Sequence, residues 1–427
     1  MRMDNETFRL KAESLLAAVK VGEDGRYDED VMAELEQMAA TPRKVRYFLK
    51  AISTHPDLAV QEHFYRLVMG RVRSEHDVSD LERHIRHMYY EDREHAKAIL
   101  ARLLYRDVVA ALLRVIAFTE EGWLAGELIR IVLQGEPEEL YEPIVSALQS
   151  RDYLLQCLAI YLIGKSGDPK LLDALAQFYR RPVGEKVDRL ERKALDALLE
   201  GAAKGADAAL ISQWLRDRSV RVRDVGLRIA QAQGMAQTVG EIASLVLIDA
   251  RTRAKAAQIL LQFEDQGLIR LLPDDPAAAP IKTVLQNAKQ EALQATLASL
   301  MRDESPAVRE VAVRFVRFIK EPAQLTAQVR RVAIEDRTPA VQIAAMRVLA
   351  DVDPEKLVSV LVEVFTDVTV TSGGSREVVD VASELMSRAL DPQQVRDVEE
   401  GIRAKEERRD AAFDRFSGSV EWWRHDL

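Results

Sequence analysis

Four side chains between residues 84 and 95 have the types and the spacing that could bind a metal ion together. On one continuous helix His84, Glu91 and His95 would lie close together, with His87 on the same side. Imidazole nitrogens and a carboxylate in that arrangement could hold zinc or iron. The alternative is a solvated polar helix face, because Asp92 is placed to cap a new helix and a break there would remove the single face. The sequence therefore assigns no metal, and the four residues are candidates only.

Other reactive side chains lie in helical surroundings. Cys157 is the only cysteine, cannot form an internal disulfide, and lies in the apolar segment 154–160, so it is interpreted as a buried small side chain. Residues 164–166 (Gly-Lys-Ser) resemble the end of a phosphate-binding loop, but Ala159 stands where that motif needs its first glycine. We interpret them as the end of a helix that Gly164 closes. Without another catalytic motif, the sequence predicts no enzyme and no cofactor.

Composition and charge narrow the classes of function. The chain has 427 residues, of which 48% are hydrophobic, 30% charged and 6% aromatic, which favours a folded, mostly helical protein. The net charge of -9 argues against a surface built to neutralise phosphates, so nucleic acid is not an expected partner. Asp4 and Glu6 stand where a secretory signal needs apolar residues, and no apolar run is long enough to cross a bilayer. We expect a cytoplasmic protein without membrane insertion.

The elements that must position any functional residue form a repeat. Each copy has an aspartate, a Val-Arg or Val-Gln pair five residues later, a small residue in the next turn and then an arginine. Copies begin at Asp217, Asp303 and Asp336, and the last two are 33 residues apart. Self-similarity at this period indicates a helical solenoid.

One small residue in each inner helix marks the spacing of the repeats. The steps between these residues are 35, 32, 31, 55 and 33 residues. The long step contains a proline-rich segment and predicts a loop insertion of about twenty residues near 263–280. Residues 167–169 (Gly-Asp-Pro) predict a joint between helices, made of a left-handed stop, a cap and a first-turn proline. The small residues are Ala159, Ala194, Gly226, Ala257, Ala312 and Ala345.

The aspartate of the pattern is expected to cap the inner helix, and Arg223 and Arg309 to pair with a nearby carboxylate such as Asp217 or Asp303. On these residues, segment 141–365 resembles HEAT repeats of the short kind also called PBS-lyase HEAT-like repeats. The resemblance implies an all-α fold, a right-handed α-solenoid of tandem antiparallel helix pairs whose inner helices line a concave groove. It also implies a ladder of turn aspartates and helix-start arginines, with a departure at Gln342. The ladder residues are Asp217, Arg223, Asp303, Arg309 and Asp336.

Three regions follow. Residues 1–140 form a helical region without the pattern, with helices predicted at 5–19, 28–39, 42–53 and 58–72. Residues 141–390 are the HEAT-like array, in which 369–375 is interpreted as a solvent loop. Residues 391–427 are a charged helix, a break at 417–419 and a tail. The tail residues Trp422 and Trp423 either cover the open end of the last repeat or dock to another protein.

The predicted function is a non-enzymatic scaffold that binds a protein partner through the inner helices or the aromatic tail. Five basic residues are candidates for a partner-binding groove, and the alternative is that acids such as Glu310 and Asp351 balance them. The second class of function is a ligand-handling or enzymatic protein that resembles tetrapyrrole lyases or DNA-base glycosylases. The candidate basic residues are Arg228, Arg314, Arg317, Lys320 and Arg347.

Overall fold

The computed structural model describes residues 5–19, 29–39, 45–53, 55, 57–72, 75–180, 188–366 and 376–425. Side chains are described for these residues except 5, 29, 39, 45–47, 75–76, 188 and 410–425. Every regular element of the described chain is a helix, so the predicted all-α class is confirmed. The chain divides into two compact units, Met1–Leu210 and Ile211–Leu427, and the division falls within α13 (Ala208–Leu215).

The first unit is a series of consecutive helices that pack on their second neighbours. Helix α1 packs on α3, α3 on α5, α5 on α7, α7 on α9 and α9 on α11, while α10 packs along α12. Two layers of helices therefore share one apolar interior, as tandem helix pairs require. The helices are α1 (Asn5–Ala18), α2 (Glu29–Ala39), α3 (Val45–Ser53), α4 (Leu58–Met69), α5 (Glu75–Glu91), α6 (Arg93–Arg102), α7 (Arg106–Phe118), α8 (Gly122–Val132), α9 (Pro137–Gln149), α10 (Tyr153–Ser166), α11 (Pro169–Tyr179) and α12 (Asp188–Gly205).

The four helices predicted before residue 72 correspond to α1, α2, α3 and α4. The joint between α10 and α11 is also as predicted. Gly167 has a φ of 67°, Asp168 accepts a hydrogen bond from the Leu171 amide at 3.0 Å, and Pro169 is the first helical residue. Gly164 does not end α10, however. It is buried inside the helix, where a Cβ atom would lie 3.0 Å from Cα of Ala197 on α12, so the glycine allows the two helices to approach closely.

The second unit repeats the arrangement. In one layer α14 packs on α16, α16 on α19, α19 on α21 and α21 on α23; in the other α15 packs on α17 and α20 on α22. The small residues of α14, α16, α19 and α21 are fully buried, as the spacing of the repeats predicts. The helices are α14 (Val220–Gln233), α15 (Val239–Ile248), α16 (Arg253–Asp265), α17 (Ala279–Asn287), α18 (Gln290–Leu300), α19 (Pro306–Phe315), α20 (Thr326–Glu335), α21 (Pro339–Val352), α22 (Pro354–Thr366), α23 (Arg376–Arg388) and α24 (Pro392–His425).

The long step of the repeat is only partly a loop. Helix α16 continues to Asp265, and a 3-10 turn at Pro276–Ala278 precedes α17. The added residues therefore form a connection and one extra helix, and α17, which follows the connection, packs on α15. Among the described residues, no helix combines the length and apolar composition needed to span a membrane.

Helix α24 is longer than predicted. Its backbone stays helical through residues 417–419, where the sequence analysis places a break. Val398 on this helix is fully buried, and Lys405 forms an ion pair with Glu363. The side chains of Trp422 and Trp423, like the predicted loop 369–375, lie outside the described part of the chain.

Candidate functional site

The arginines of the repeat pattern bind carboxylates of the following repeat. Arg309 donates from Nε and Nη2 to the two carboxylate oxygens of Asp336, at 2.7 and 3.0 Å. Its Nη1 donates to the main-chain oxygens of Asp303 and Glu304, at 2.9 and 3.1 Å. This corrects the expectation that the Asp303 carboxylate pairs with Arg309.

The same ladder includes a residue that the sequence analysis missed. Arg223 donates from Nε to Asp249 at 2.9 Å and from Nη1 to the main-chain oxygen of Asp217 at 2.7 Å. Arg253 lies 3.7 Å from Asp303 and continues the series. Asp249 stands 32 residues after Asp217, so the repeat period itself was the signal that could have found it. The ladder in this unit is Arg223–Asp249, Arg253–Asp303 and Arg309–Asp336.

The turn aspartates do not cap the helices directly. Asp303 accepts a hydrogen bond from the main-chain N–H of Ser305, and Asp336 one from that of Thr338, both at 2.9 Å. Ser305 and Thr338 are the residues before the first helical residue. Each aspartate thus fixes the turn that leads into the helix, which is a local side-chain to backbone bond typical of aspartate.

The ladder keeps its acids ionised. Burial acts to raise the pKa of Asp336, but the hydrogen bond from Arg309 and the other donors outweigh it, so the pKa is lowered. Burial also opposes the hydrogen bonds to Asp249 from Thr252 and Arg223, and the pKa of Asp249 is again lowered. The bond to Asp336 in turn raises the pKa of Arg309. These residues stabilise the repeats and are not free to bind a partner.

Two of the candidate groove arginines are held by acids. Arg314 forms ion pairs with Glu264 and Glu310, and only 18% of its side chain is exposed. Arg317 lies 2.6 Å from Asp351 with 10% of its side chain exposed, and burial lowers the pKa of Arg317 below its usual range. For these two arginines the structure shows the alternative in which neighbouring acids balance the basic residues of the groove.

The other two arginine candidates differ in their surroundings. Arg228 is half-exposed and pairs with Asp224 at 2.8 Å on its own helix. Arg347 is exposed and makes no ion pair with any described residue. A role for these four arginines in partner binding stays a prediction, and Arg347 is the one of the four without an ion pair in the described chain.

The four candidate metal ligands do not share one helix. Helix α5 ends at Glu91, and Asp92 caps α6 by accepting a hydrogen bond from the main-chain N–H of His95 at 3.0 Å. The helix break therefore separates His95 from the others, which is the alternative that Asp92 suggested. The described residues contain no group of three or more His, Cys, Asp or Glu side chains placed to hold a metal ion.

His84 and His87 have separate roles on α5. His84 is buried and its Nε2 lies 3.1 Å from the hydroxyl oxygen of Tyr65. Burial, together with the charge of His87, lowers the pKa of His84 to about 4, so the ring is neutral at pH 7. His87 is exposed and lies 2.9 Å from Glu91. The contact of His84 was not visible in the sequence, because Tyr65 belongs to another helix, whereas His87 and Glu91 are four residues apart on α5.

An aromatic patch that sequence reasoning missed lies beside these histidines. We call Tyr89, Tyr90 and Trp123 the aromatic patch; both tyrosine ring centroids are 5.8 Å from that of Trp123. Tyr90 is 71% exposed and Trp123 40% exposed. The indole N–H of Trp123 donates to Glu121 at 3.2 Å, and Arg86 donates to the other oxygen of that carboxylate at 3.1 Å. The exposed ring of Trp123 is therefore held in one orientation.

The outer side of Tyr90 opens into a cavity between α3 and α5, which we call the α3–α5 cavity. Its volume is about 500 Å³, within the range of roughly 300–1,000 Å³ that ligand pockets have. Four of its lining residues on α5 recur at helical spacing and so share one face of that helix; they are Asp80, Arg83, His87 and Tyr90. Arg86 and His87 have the acidic partners named above, whereas Lys50 and Arg83 are exposed and form no ion pair within the described chain. The lining residues are Lys50, Ser53, Asp80, Arg83, His84, Arg86, His87, Tyr90 and Glu91.

Comparison with solved structures finds similar folds. The chain is similar to the karyopherin Kap121p bound to the extreme C-terminus of the protein phosphatase Cdc14p, with a TM-score of 0.31 and 12% identity over 91% of this chain and 46% of that one. It is also similar to a structure that shows tubulin recruitment by microtubule polymerases with TOG domain arrays. There the TM-score is 0.25 and the identity 9%, over 94% of this chain and 98% of that one. A third similar structure is that of She4p, with a TM-score of 0.24 and 11% identity over 93% of this chain and 84% of that one. The chain spans about half the length of the karyopherin.

No family model matches the sequence, and no curated protein matches it. The resemblance to PBS-lyase HEAT-like repeats in particular therefore stays a prediction. The broader statement, that this is a helical-repeat fold, rests on the packed helix pairs and the ladder described above.

Proposed function

We propose that the chain is a protein-binding scaffold that holds its partner on the aromatic patch of the first unit. The observation that carries the proposal is the exposure of Tyr90 and Trp123 in mutual ring contact. Water-exposed aromatic rings gain most when another surface covers them, and tryptophan, tyrosine and arginine are the residues that dominate protein interfaces. The partner is therefore expected to cover this pair of rings.

The surroundings of the patch favour tight association. Glu121 fixes the Trp123 indole, and Arg86 fixes Glu121, so little side-chain entropy remains to be lost on binding. Tyr89 lies behind the two exposed rings, is buried, and contacts Trp123 edge to face. The rings thus stand on a rigid base, as anchor residues of an interface do.

Two other surfaces remain proposals with their own tests. Arg347 is an exposed member of the predicted basic groove without an ion pair among the described residues, and Trp422 and Trp423 are candidate docking residues of the tail. We propose them as secondary contacts. Reversal of charge in Arg347→Glu, or removal of residues after Gly418, should weaken partner capture less than loss of the aromatic patch does.

The test is affinity capture of the protein partner from the lysate of the native host after nuclease treatment. The full chain is compared with Tyr90→Ala and Trp123→Ala. Ile248→Ala is the control, because Ile248 is 79% exposed in the second unit and its replacement also removes exposed apolar surface. We expect both aromatic variants to lose most of the stoichiometric partner and the control to retain it.

Equal capture by all variants would remove the aromatic patch from the proposal. If no protein is captured but a pigment or a nucleic acid is, the scaffold function is wrong. The second class of function, a ligand-handling or enzymatic protein, then replaces it.

A further inference from the structure

The two unpaired cations of the α3–α5 cavity are not explained by folding. Lys50 extends from the last turn of α3, and Arg83 lies on the α5 face that borders the cavity. A structural arginine in this protein is surrounded by acids and main-chain oxygens, as Arg309 is. Lys50 and Arg83 instead stay exposed and form no ion pair among the described residues.

The charges around the cavity favour an anionic group. Of the lining acids, Glu91 lies 2.9 Å from Nε2 of His87, and Asp80 has an interaction of its own within the described chain. The lining also contains the phenol of Tyr90, which is able to donate a hydrogen bond, whereas the Ser53 hydroxyl already donates to the main-chain oxygen of Lys50 at 2.8 Å. A planar guanidinium and an ammonium near a phenol donor form a combination that suits carboxylates.

We propose that the α3–α5 cavity binds an acidic side chain of the partner, in an extended segment whose apolar residue packs on the aromatic patch. The proposal rests on the proposed function, since it names the kind of peptide that the same site takes. Tyr90 belongs to both the cavity lining and the patch, so one segment can reach both. The occupant is an acidic peptide segment, with its carboxylate at Arg83 and Lys50.

The helix geometry gives the spacing of the two peptide residues. Arg83 and Tyr90 are seven residues apart on α5, which is about 10 Å along the helix axis at about 1.5 Å per residue. An extended chain covers about 3.3 Å per residue, so about three residues span that distance. The acidic and apolar residues of the partner should therefore stand about three positions apart.

The test selects peptides from a phage-displayed library of random, unphosphorylated twelve-residue sequences against the full chain. Selected peptides are then synthesised with fluorescein, and their affinities are measured by anisotropy. We expect a glutamate or aspartate about three positions from an aromatic or leucine residue. We also expect Lys50→Gln and Arg83→Gln each to weaken binding about ten-fold, as loss of a charge-assisted hydrogen bond does.

Lys170→Gln is the matched control, since Lys170 is exposed on α11 and the charge change is the same. Its affinity should equal that of the unmodified chain, and the affinity of the unmodified chain should fall as salt rises. The proposal is overturned if no peptide is enriched, if enriched peptides lack acids, or if Lys50→Gln and Arg83→Gln bind like the control.

The two proposals fail separately. If Tyr90→Ala loses the captured protein partner while Lys50→Gln and Arg83→Gln keep the affinity for selected peptides, the acidic-segment proposal fails and the scaffold function stands. If none of the three variants changes binding, both are wrong.

Discussion

Removal of the Arg309 guanidinium tests the ladder of the second unit. The substitution Arg309→Met keeps an unbranched side chain of similar length and removes every polar contact that the guanidinium makes. These contacts are two bonds to the Asp336 carboxylate, one to the Thr338 hydroxyl at 3.2 Å, and two to main-chain oxygens. The variant therefore leaves a carboxylate without its counter-charge.

The expected loss follows from burial. The side chains of Arg309 and Asp336 are 15% and 6% exposed, so water can replace little of what the guanidinium supplied. Removing one partner of a buried ion pair costs about 3–5 kcal/mol, and we expect about 3 kcal/mol because an edge of the pair reaches solvent. Arg309→Lys should recover only part of this loss, since an ammonium cannot bind both carboxylate oxygens and the main-chain oxygens together.

The assay combines urea unfolding with hydrogen exchange followed by mass spectrometry. Because each repeat contacts its neighbours, exchange should accelerate most in peptides from α19, α20 and α21. The matched control is Arg331→Met, which removes an arginine that pairs with Glu335 at 2.7 Å with both side chains more than half exposed. The control should leave the unfolding midpoint within experimental error.

Equal destabilisation by Arg309→Met and Arg331→Met would refute the argument, because burial would then not set the strength of the pair. Refutation would also follow if Arg309→Met accelerated exchange evenly over all helices of its unit. Asp336→Asn combined with Arg309→Met should lose less than the two single losses added together, since the partners act on each other.

Two further predictions concern the first unit. Burial lowers the pKa of His84 to about 4, so between about pH 6.5 and pH 4 the unfolded chain binds a proton at this residue and the folded chain does not. The free energy of unfolding should therefore fall by up to about 3 kcal/mol as the pH drops from 6.5 to 4. Urea unfolding across this range should show that dependence diminished in His84→Gln and retained in His87→Gln. The second prediction compares two helical glycines by thermal unfolding. Gly164→Ala should cost about 1–3 kcal/mol, because its Cβ would meet the backbone of α12. Gly126→Ala should stabilise by about 0.5–1 kcal/mol, since no heavy atom lies within 4 Å of the added Cβ. An unchanged pH dependence in His84→Gln, or equal effects of the two alanines, would contradict these explanations.

Local signals in the sequence predicted the fold well because they act within a few residues. The Gly-Asp-Pro joint at residues 167–169 combines a left-handed stop, a cap and a first-turn proline, and all three are observed. The position of Gly164 shows the limit. A glycine inside a helix and a glycine that ends a helix look alike in sequence, and only the approach of Ala197 on another helix distinguishes them.

The ladder was predicted in its residue types but not in its pairing. Aspartate and arginine recur with the repeat, yet the nearest carboxylate in sequence is not the one that Arg309 binds. The side chain of Arg309 crosses to the next repeat, 27 residues away, while the carboxylate of Asp303 accepts from its own turn. Short polar side chains bond locally and long ones reach neighbouring repeats, and this difference in length decides the pairing.

The candidate binding residues were the least predictable part. Glu310 and Asp351, which the sequence analysis names as balancing acids, do pair with Arg314 and Arg317. The second acid of Arg314 is Glu264, 50 residues earlier, and the spacing of residues gives no sign of it. Arg83 and Lys50 carry no sequence mark that separates them from these two. What makes a cation available is the absence of an acid in space, and one-dimensional spacing shows only neighbours on the same helix.

This difference gives a physical reason to place binding on the first unit. A buried cation that is already paired must leave its own acid before it can bind an acid of the partner. One ion pair then replaces another, so the net gain in binding free energy is small. Lys50 and Arg83 have no such pair to lose, and they stand beside aromatic rings whose covering is favourable in itself. Charge and apolar surface thus act together at Tyr90, whereas Arg314 and Arg317 have their charges already neutralised.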